Sequence, residues 1–216
     1  MINTNWATTL FILILLPLMA IGFPQLSEEN IAIQQSLTNA INNDPKNPDL
    51  RFELAMEYAA TGWVELGWDQ LAQIPKLHPD YKHVVYEKYA SIIDQSPTDW
   101  KAHFRLAFAH YFYDDRDQSI ASFKQVLQLN PDHVWSMGYI ALIYGDLKDY
   151  DRCIEWSVRA LSINNDALAI HFLLGKAYYE TGNFFGVIGQ SLSVGRIKSM
   201  EARYRPIPPI HIEAVK

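Results

Sequence analysis

Cysteine is almost missing from this chain: Cys153 is the only one in 216 residues. An intramolecular disulfide and a cysteine-based zinc site are both excluded, and Cys153 is expected as a small packed residue in a helix. Positive charge is also scarce. Eighteen Lys and Arg face 24 Asp and Glu, for a net charge of -6. The acids crowd into residues 28–99, with 12 against 5 bases, whereas residues 196–216 carry 2 acids against 5 bases. A body of this kind lacks the dense basic surface that phosphate backbones require, so nucleic acid is not expected as a partner. Catalytic signatures are lacking as well: there is no serine nucleophile elbow, no phosphate-binding glycine loop and no HExxH. Asp114, Asp115 and Asp117 hint at a calcium loop but lack its glycine and closing glutamate, and read as a solvated turn. His103 and His110 lie seven apart on one helix face and read as core histidines, while His211 and Glu213 have no third ligand near them in sequence. No catalytic residue, no metal and no cofactor is expected.

The first 27 residues contain no charged side chain, and Leu10 to Phe23 is an apolar run broken only by Pro17 and Gly22. Residues 1–24 therefore read as a signal peptide, with Ala20-Ile21-Gly22 offering small residues for cleavage, or as a membrane anchor if the segment stays. The run has no polar face, which argues against a buried first helix of the following domain. Lys46 is the first basic side chain, so nothing near the run holds the rest of the chain in the cytoplasm. An exported or membrane-anchored location follows as an expectation.

What fills the remainder is a repeat. Leu106-Ala107, Ile140-Ala141 and Leu174-Gly175 stand 34 residues apart, as do Pro97, Pro131 and Asn165. A 34-residue period fits a unit of two helices joined by a tight turn. A first helix is expected over 25–43, capped by Ser27 and ended by Asn42-Asn43-Asp44-Pro45. Hairpins follow over about 48–79, 100–131, 134–165 and 168–197, with inner turns at Thr61-Gly62, Asp114-Asp115, Lys148-Asp149 and Thr181-Gly182. Between Pro79 and Pro97 lies half a unit, room for one helix with Val84, Val85, Tyr89, Ile92 and Ile93 on its apolar side. Residues 25–197 thus form one repeat domain. Residues 198–216 form a basic tail, in which Arg205-Pro206-Ile207-Pro208-Pro209-Ile210 cannot be helical.

The residues at fixed places in each unit carry a family likeness. His171, Leu174, Gly175 and Tyr178, then Gly182-Asn183-Phe184, follow the tetratricopeptide pattern, and so do Met137, Ile140, Ala141 and Tyr144 with Tyr150, Cys153, Ser157 and Ala160. His103, Leu106, Ala107 and His110 with Ser119, Phe123, Val126 and Pro131, and Arg51, Leu54, Ala55 and Tyr58 with Gly62, Gly67, Leu71, Ile74 and Pro79, fill the other two units. The chain resembles the tetratricopeptide repeat proteins over residues 48–197, with the half-unit as its departure.

The resemblance implies an all-α, right-handed solenoid that binds a protein or peptide in the concave surface of its first helices. The groove-facing offsets fall on Phe52, Met56, Lys101, Phe104, Arg105, Phe108, Trp135, Tyr139, Leu142, Phe172, Lys176 and Tyr179. Nine of these, Lys101, Phe104, Arg105, Phe108, Trp135, Tyr139, Phe172, Lys176 and Tyr179, form the expected partner-binding set. Its aromatics suit apolar peptides, and Lys101 with Arg105 matches two members of a carboxylate clamp whose other places hold Phe52, Met56 and Phe104. The other reading is a structural subunit whose apolar face is buried in an oligomer or a membrane-associated complex.

Overall fold

In a computed structural model, residues 27–61 and 63–201 are described. The apolar run expected to target the chain and the proline-containing tail lie outside them. Among the described residues the secondary structure is helical, and no helix is long and apolar enough to cross a membrane.

Helix α1, Glu28–Asn43, starts at Ser27, whose hydroxyl accepts the Asn30 amide at 3.1 Å. Its buried side, with Ile41, packs on Leu54 and Tyr58 of α2, Pro48–Ala60. Its outer side is polar: Gln35, Ser36 and Asn39 are exposed. Asn47 caps α2, and Pro48 sits at the helical position where a missing amide costs nothing.

The expected long second helix of this first unit is instead two pieces, α3, Val64–Leu71, and the single turn α4, Ile74–Leu77. Pro75 has no N–H to donate and restricts the residue before it, so the helix stops and restarts. The half-unit is one helix, α5, Tyr81–Gln95, buried through Tyr81, Val85 and Tyr89, with Val84 exposed.

Three hairpins complete the array: α6, Trp100–Phe112, with α7, Arg116–Leu129; α8, Val134–Asp146, with α9, Tyr150–Ile163; and α10, Leu168–Glu180, with α11, Phe184–Glu201. Their inner turns share one geometry. Asp114, Lys148 and Gly182 adopt left-handed backbone at φ 65°, 61° and 75°. One residue later, the amides of Asp115, Asp149 and Asn183 donate to the carbonyls of His110, Tyr144 and Tyr178, each at 2.8 Å. This is the six-to-one bond of a Schellman cap, and Trp63 to Tyr58 makes the same bond after α2. The 34-residue spacing is thus a repeated helix stop as well as repeated packing.

A second device recurs at the start of three of the four hairpin units, the exception having Met137 at that place. Nε2 of His103 and of His171 lies 2.9 Å from the carbonyls of Pro97 and Asn165, and Arg51 Nη2 donates to the Pro45 carbonyl at 3.0 Å. In each case the side chain stands six residues after the turn residue whose carbonyl it satisfies, at the place where the family pattern has an aromatic. Their places in the repeat pattern are legible in the sequence; the turn carbonyl that each satisfies is not, although each has an N–H to donate. Arg51 is fully buried without a carboxylate, held by the Pro45 carbonyl and Gln70 Oε1, and burial lowers its pKa.

Candidate partner-binding groove

The nine residues of the expected groove do not form one open surface. Phe104, Phe108 and Tyr139 are only 2, 3 and 4% exposed, and Phe52 and Met56 are buried with them. The expectation that these aromatics are accessible is therefore corrected: in the folded chain they are core. The cause is the first unit, which lies over the inner side of α6 and α8. Trp68 of α3 packs on Phe108, Tyr111 and Phe112 of α6 at ring separations of 6.5, 5.7 and 6.0 Å. The Tyr139 hydroxyl donates to the Ala59 carbonyl at the end of α2, at 3.2 Å and across 80 residues of sequence. Beneath this cover the rings interlock: Phe108 meets Tyr139 edge-on at 4.9 Å, and Tyr139 stacks on Phe123 at 5.5 Å.

Charge fixes the cover in place. Asp49, Glu53 and Glu57 recur every four residues and so share one side of α2. Arg105 on α6 bonds Glu53 at 2.7 Å and reaches Glu57 at 3.3 Å. From α5, Lys88 lies 2.9 Å from Asp49 and 3.4 Å from Glu53, Tyr81 donates to Asp49, and Tyr89 donates to Glu53. Phe52 sits between the Tyr81 and Tyr89 rings of α5. The half-unit helix is the third wall of this clamp.

The partners divide the electrostatics unequally. Burial works against the Arg105 charge, yet Glu53 outweighs it and raises the guanidinium pKa. Burial would lift Glu53, but Arg105 and Tyr89 overcome it and hold its carboxyl below the usual range. For Glu57 burial prevails over Arg105, and its pKa is raised. Glu53 is thus the principal counter-ion, in keeping with its shorter bond. Arg105 is an ion-paired strut, which corrects its assignment as a free groove cation.

The accessible members of the set are at the other end. Lys101, Lys176 and Tyr179 are exposed, and Trp135, Leu142 and Phe172 are half-buried. All but Lys101 lie on α8 and α10, which pack directly against each other. His133 and His110 border the covered region. His133 Nδ1 accepts the Ser136 amide at 3.2 Å, capping α8, and its ring lies between Trp100 and Phe104. Burial brings its pKa down to about 4. His110, read as a satisfied core histidine, has Nδ1 buried with no hydrogen bond and 3.6 Å from the Asp115 carboxylate, against the Tyr86 ring. Burial lowers its pKa too. Cys153 is buried, its thiol pushed up by burial. Among the described residues, no group of three or more His, Cys, Asp and Glu is placed to hold a metal ion.

Comparison with known proteins agrees with this geometry. The tetratricopeptide repeat family matches residues 101–133 and 139–166, the two units whose hairpins are most regular. No curated protein matches the chain. Among solved structures, a crystal structure of the MamA protein is similar at TM-score 0.54 and 16% identity, over 81% of this chain and 86% of that one. A MamA RS-1 double mutant is similar at TM-score 0.53 and 13% identity, over 78% and 84%. At such identities these structures bear on the fold alone. The two family matches, in register with the helix stops and the turn-carbonyl donors, give the chain tetratricopeptide repeats over residues 101–133 and 139–166, within an all-α solenoid whose first unit is folded over its own inner surface.

Proposed function

We propose that the chain is a non-catalytic binding scaffold whose partner contacts the inner side of α8 and α10, on Trp135, Leu142, Phe172, Lys176 and Tyr179. The observation that carries this reading is that Lys176 and Tyr179 are exposed and Trp135, Leu142 and Phe172 only half-buried on those two helices, whereas Phe104, Phe108 and Tyr139 are covered by the first unit. Aromatic side chains give large contact area for few frozen torsions, and Lys176 adds one cation for an acidic or C-terminal group. A protein or peptide segment is the partner class that suits such a strip. The uncharged run before Pro24 would bring the scaffold to a membrane or across one.

A photo-crosslinking amino acid at Phe172 or Tyr179 should capture a polypeptide from membranes and soluble extract of the native host. The same probe at Val158, exposed on the second helix α9, should not. Phe172→Ala should then weaken binding of that polypeptide by about 1–3 kcal/mol with little change in unfolding midpoint. Equal capture from both helices, or from neither, would refute the assignment.

A further inference from the structure

Helix α11 is set into the fold by one side. Gly186 and Gln190, four residues apart, face α10: a side chain at Gly186 would collide with the Tyr178 ring, and Gln190 Oε1 lies 2.6 Å from His171 Nδ1. Ile197 is buried on that side as well. The opposite side is apolar and open, with Phe185 89% and Leu192 71% exposed and Phe184 and Ile188 also exposed. At about 100° per residue, these four side chains fill an arc of about 100° around the helix. A side chain at Gly189 or Gly195 would meet nothing within 4 Å, so the fold leaves the arc clear. A contiguous apolar strip of this kind marks a contact surface.

Charge indicates what the strip meets. The chain carries a net charge of -6, yet no acid stands between Glu180 and Glu201, and Arg196 and Lys198 do. On the helical wheel Arg196 falls about 20° outside Phe185 and Lys198 about 40° outside Phe184, on the other edge. Both stand one to two turns beyond Leu192. An apolar arc with a cation on each edge is the pattern of a helix that lies in a membrane interface. Side chains this exposed stand out as a ridge, and acyl chains close around a ridge without needing a shaped complement.

We propose that α11 lies flat on an anionic lipid surface, with Phe184, Phe185, Ile188 and Leu192 in the acyl-chain boundary and Arg196 and Lys198 at headgroup phosphates. The helix is not long and apolar enough to cross a bilayer. The four apolar residues extend along about 12 Å of its axis, parallel to the surface. Interfacial helices bury the apolar face by about 5–10 Å, and long cationic stems reach back from there to the headgroups. Arg196 now pairs with Asp166 at 3.0 Å, but both side chains are exposed, and such pairs yield readily to a phosphate. The strip faces away from α10, so the inner side of α10 stays open while α11 is on lipid, and the inference does not depend on the partner proposed for that side.

The test uses the full chain with Cys153→Ala and Ile188→Cys, the new thiol carrying an environment-sensitive fluorophore. Residues 1–24 can bring the chain to vesicles by themselves, so the readout is local to α11. On vesicles of equal parts phosphatidylglycerol and phosphatidylcholine, the emission should shift to the blue and be quenched by lipids spin-labelled on the acyl chain. The same probe through Val158→Cys, exposed on α9, should show neither. Adding Phe185→Glu and Leu192→Glu should raise the lipid concentration needed by at least about tenfold, with the unfolding midpoint kept, since both side chains are already exposed. Arg196→Gln with Lys198→Gln, or phosphatidylcholine alone, should raise it about tenfold. An unshifted probe at position 188 overturns the proposal even where the chain sediments with the vesicles, and so does an equal response at position 158 or on the two lipid compositions. Emission already blue without vesicles overturns it too: if it depends on protein concentration, a second copy covers the strip, and if not, another stretch of the chain does.

Discussion

The two halves of the inner surface contain the same kinds of residue and have opposite fates. Phe104, Phe108 and Tyr139 on α6 and α8 lie under the first unit, while on α10 Phe172 is half-buried and Tyr179 exposed on an otherwise similar helix. Aromatic content therefore does not tell a binding surface from a core. What distinguishes the two is whether another segment has the charges and the irregular geometry to lie across it.

The contrast breaks most sharply at Phe108. Phe108→Ala should destabilise the fold by about 3–5 kcal/mol, the cost of emptying a packed aromatic site, read from urea unfolding. Phe172→Ala should leave the midpoint nearly where it was. Similar losses for both would show that the halves do not differ. Next comes the clamp. Arg105→Ala leaves Glu53 with Lys88 and Tyr89 but takes the ion-pair partner from half-buried Glu57, and about 2–3 kcal/mol should be lost. Glu53→Gln should cost more than Glu57→Gln, because the Arg105 charge overcomes burial only at Glu53. Equal effects would contradict that division.

The boundary between the halves should respond to acid. His133 caps α8 as a neutral ring, and its folded pKa of about 4 is below the unfolded value of 6.5. The unfolded state binds the extra proton, so stability is intact above that unfolded value and falls as the pH drops toward the folded one. Between pH 7 and 5 the loss from this group should be about 2 kcal/mol. His133→Asn keeps a capping acceptor and should flatten that part of the profile; an unaltered slope would place the sensitivity elsewhere. The smallest effect belongs to the regular half. Lys148→Gly relieves a left-handed non-glycine and should raise stability by about 0.5–1 kcal/mol, seen as a higher unfolding midpoint.

The regular half was legible in the sequence because everything that builds it is local. The turn residues at 114, 148 and 182 and the small residues that let helices approach all act within one 34-residue unit. The half-unit at α5 could also be seen, as a break in phase. The consequence of that break could not. Spacing along the chain carries no information on where a displaced hairpin comes to rest, and the contact that settles it joins Ala59 to Tyr139. A hint existed in the acids at 49, 53 and 57, four apart on one helix and set against Arg105, a position assigned to ligand binding. Asp49 and Glu53 also find Lys88, Tyr81 and Tyr89 on the helix that breaks the period.

The same contact sets an order of events during synthesis. Stacked hairpins ordinarily close as soon as each leaves the ribosome, because their contacts are near in sequence. Here α2 and α3 emerge early, but the Tyr139 hydroxyl that meets the end of α2 is made 80 residues later. At about 5–20 residues per second that is a wait of roughly 4–16 s. Until α6 follows, Trp68 lacks the Phe108, Tyr111 and Phe112 rings that it packs on, and until Tyr139 follows the end of α2 lacks its partner; this is the interval in which a chaperone has first access to them.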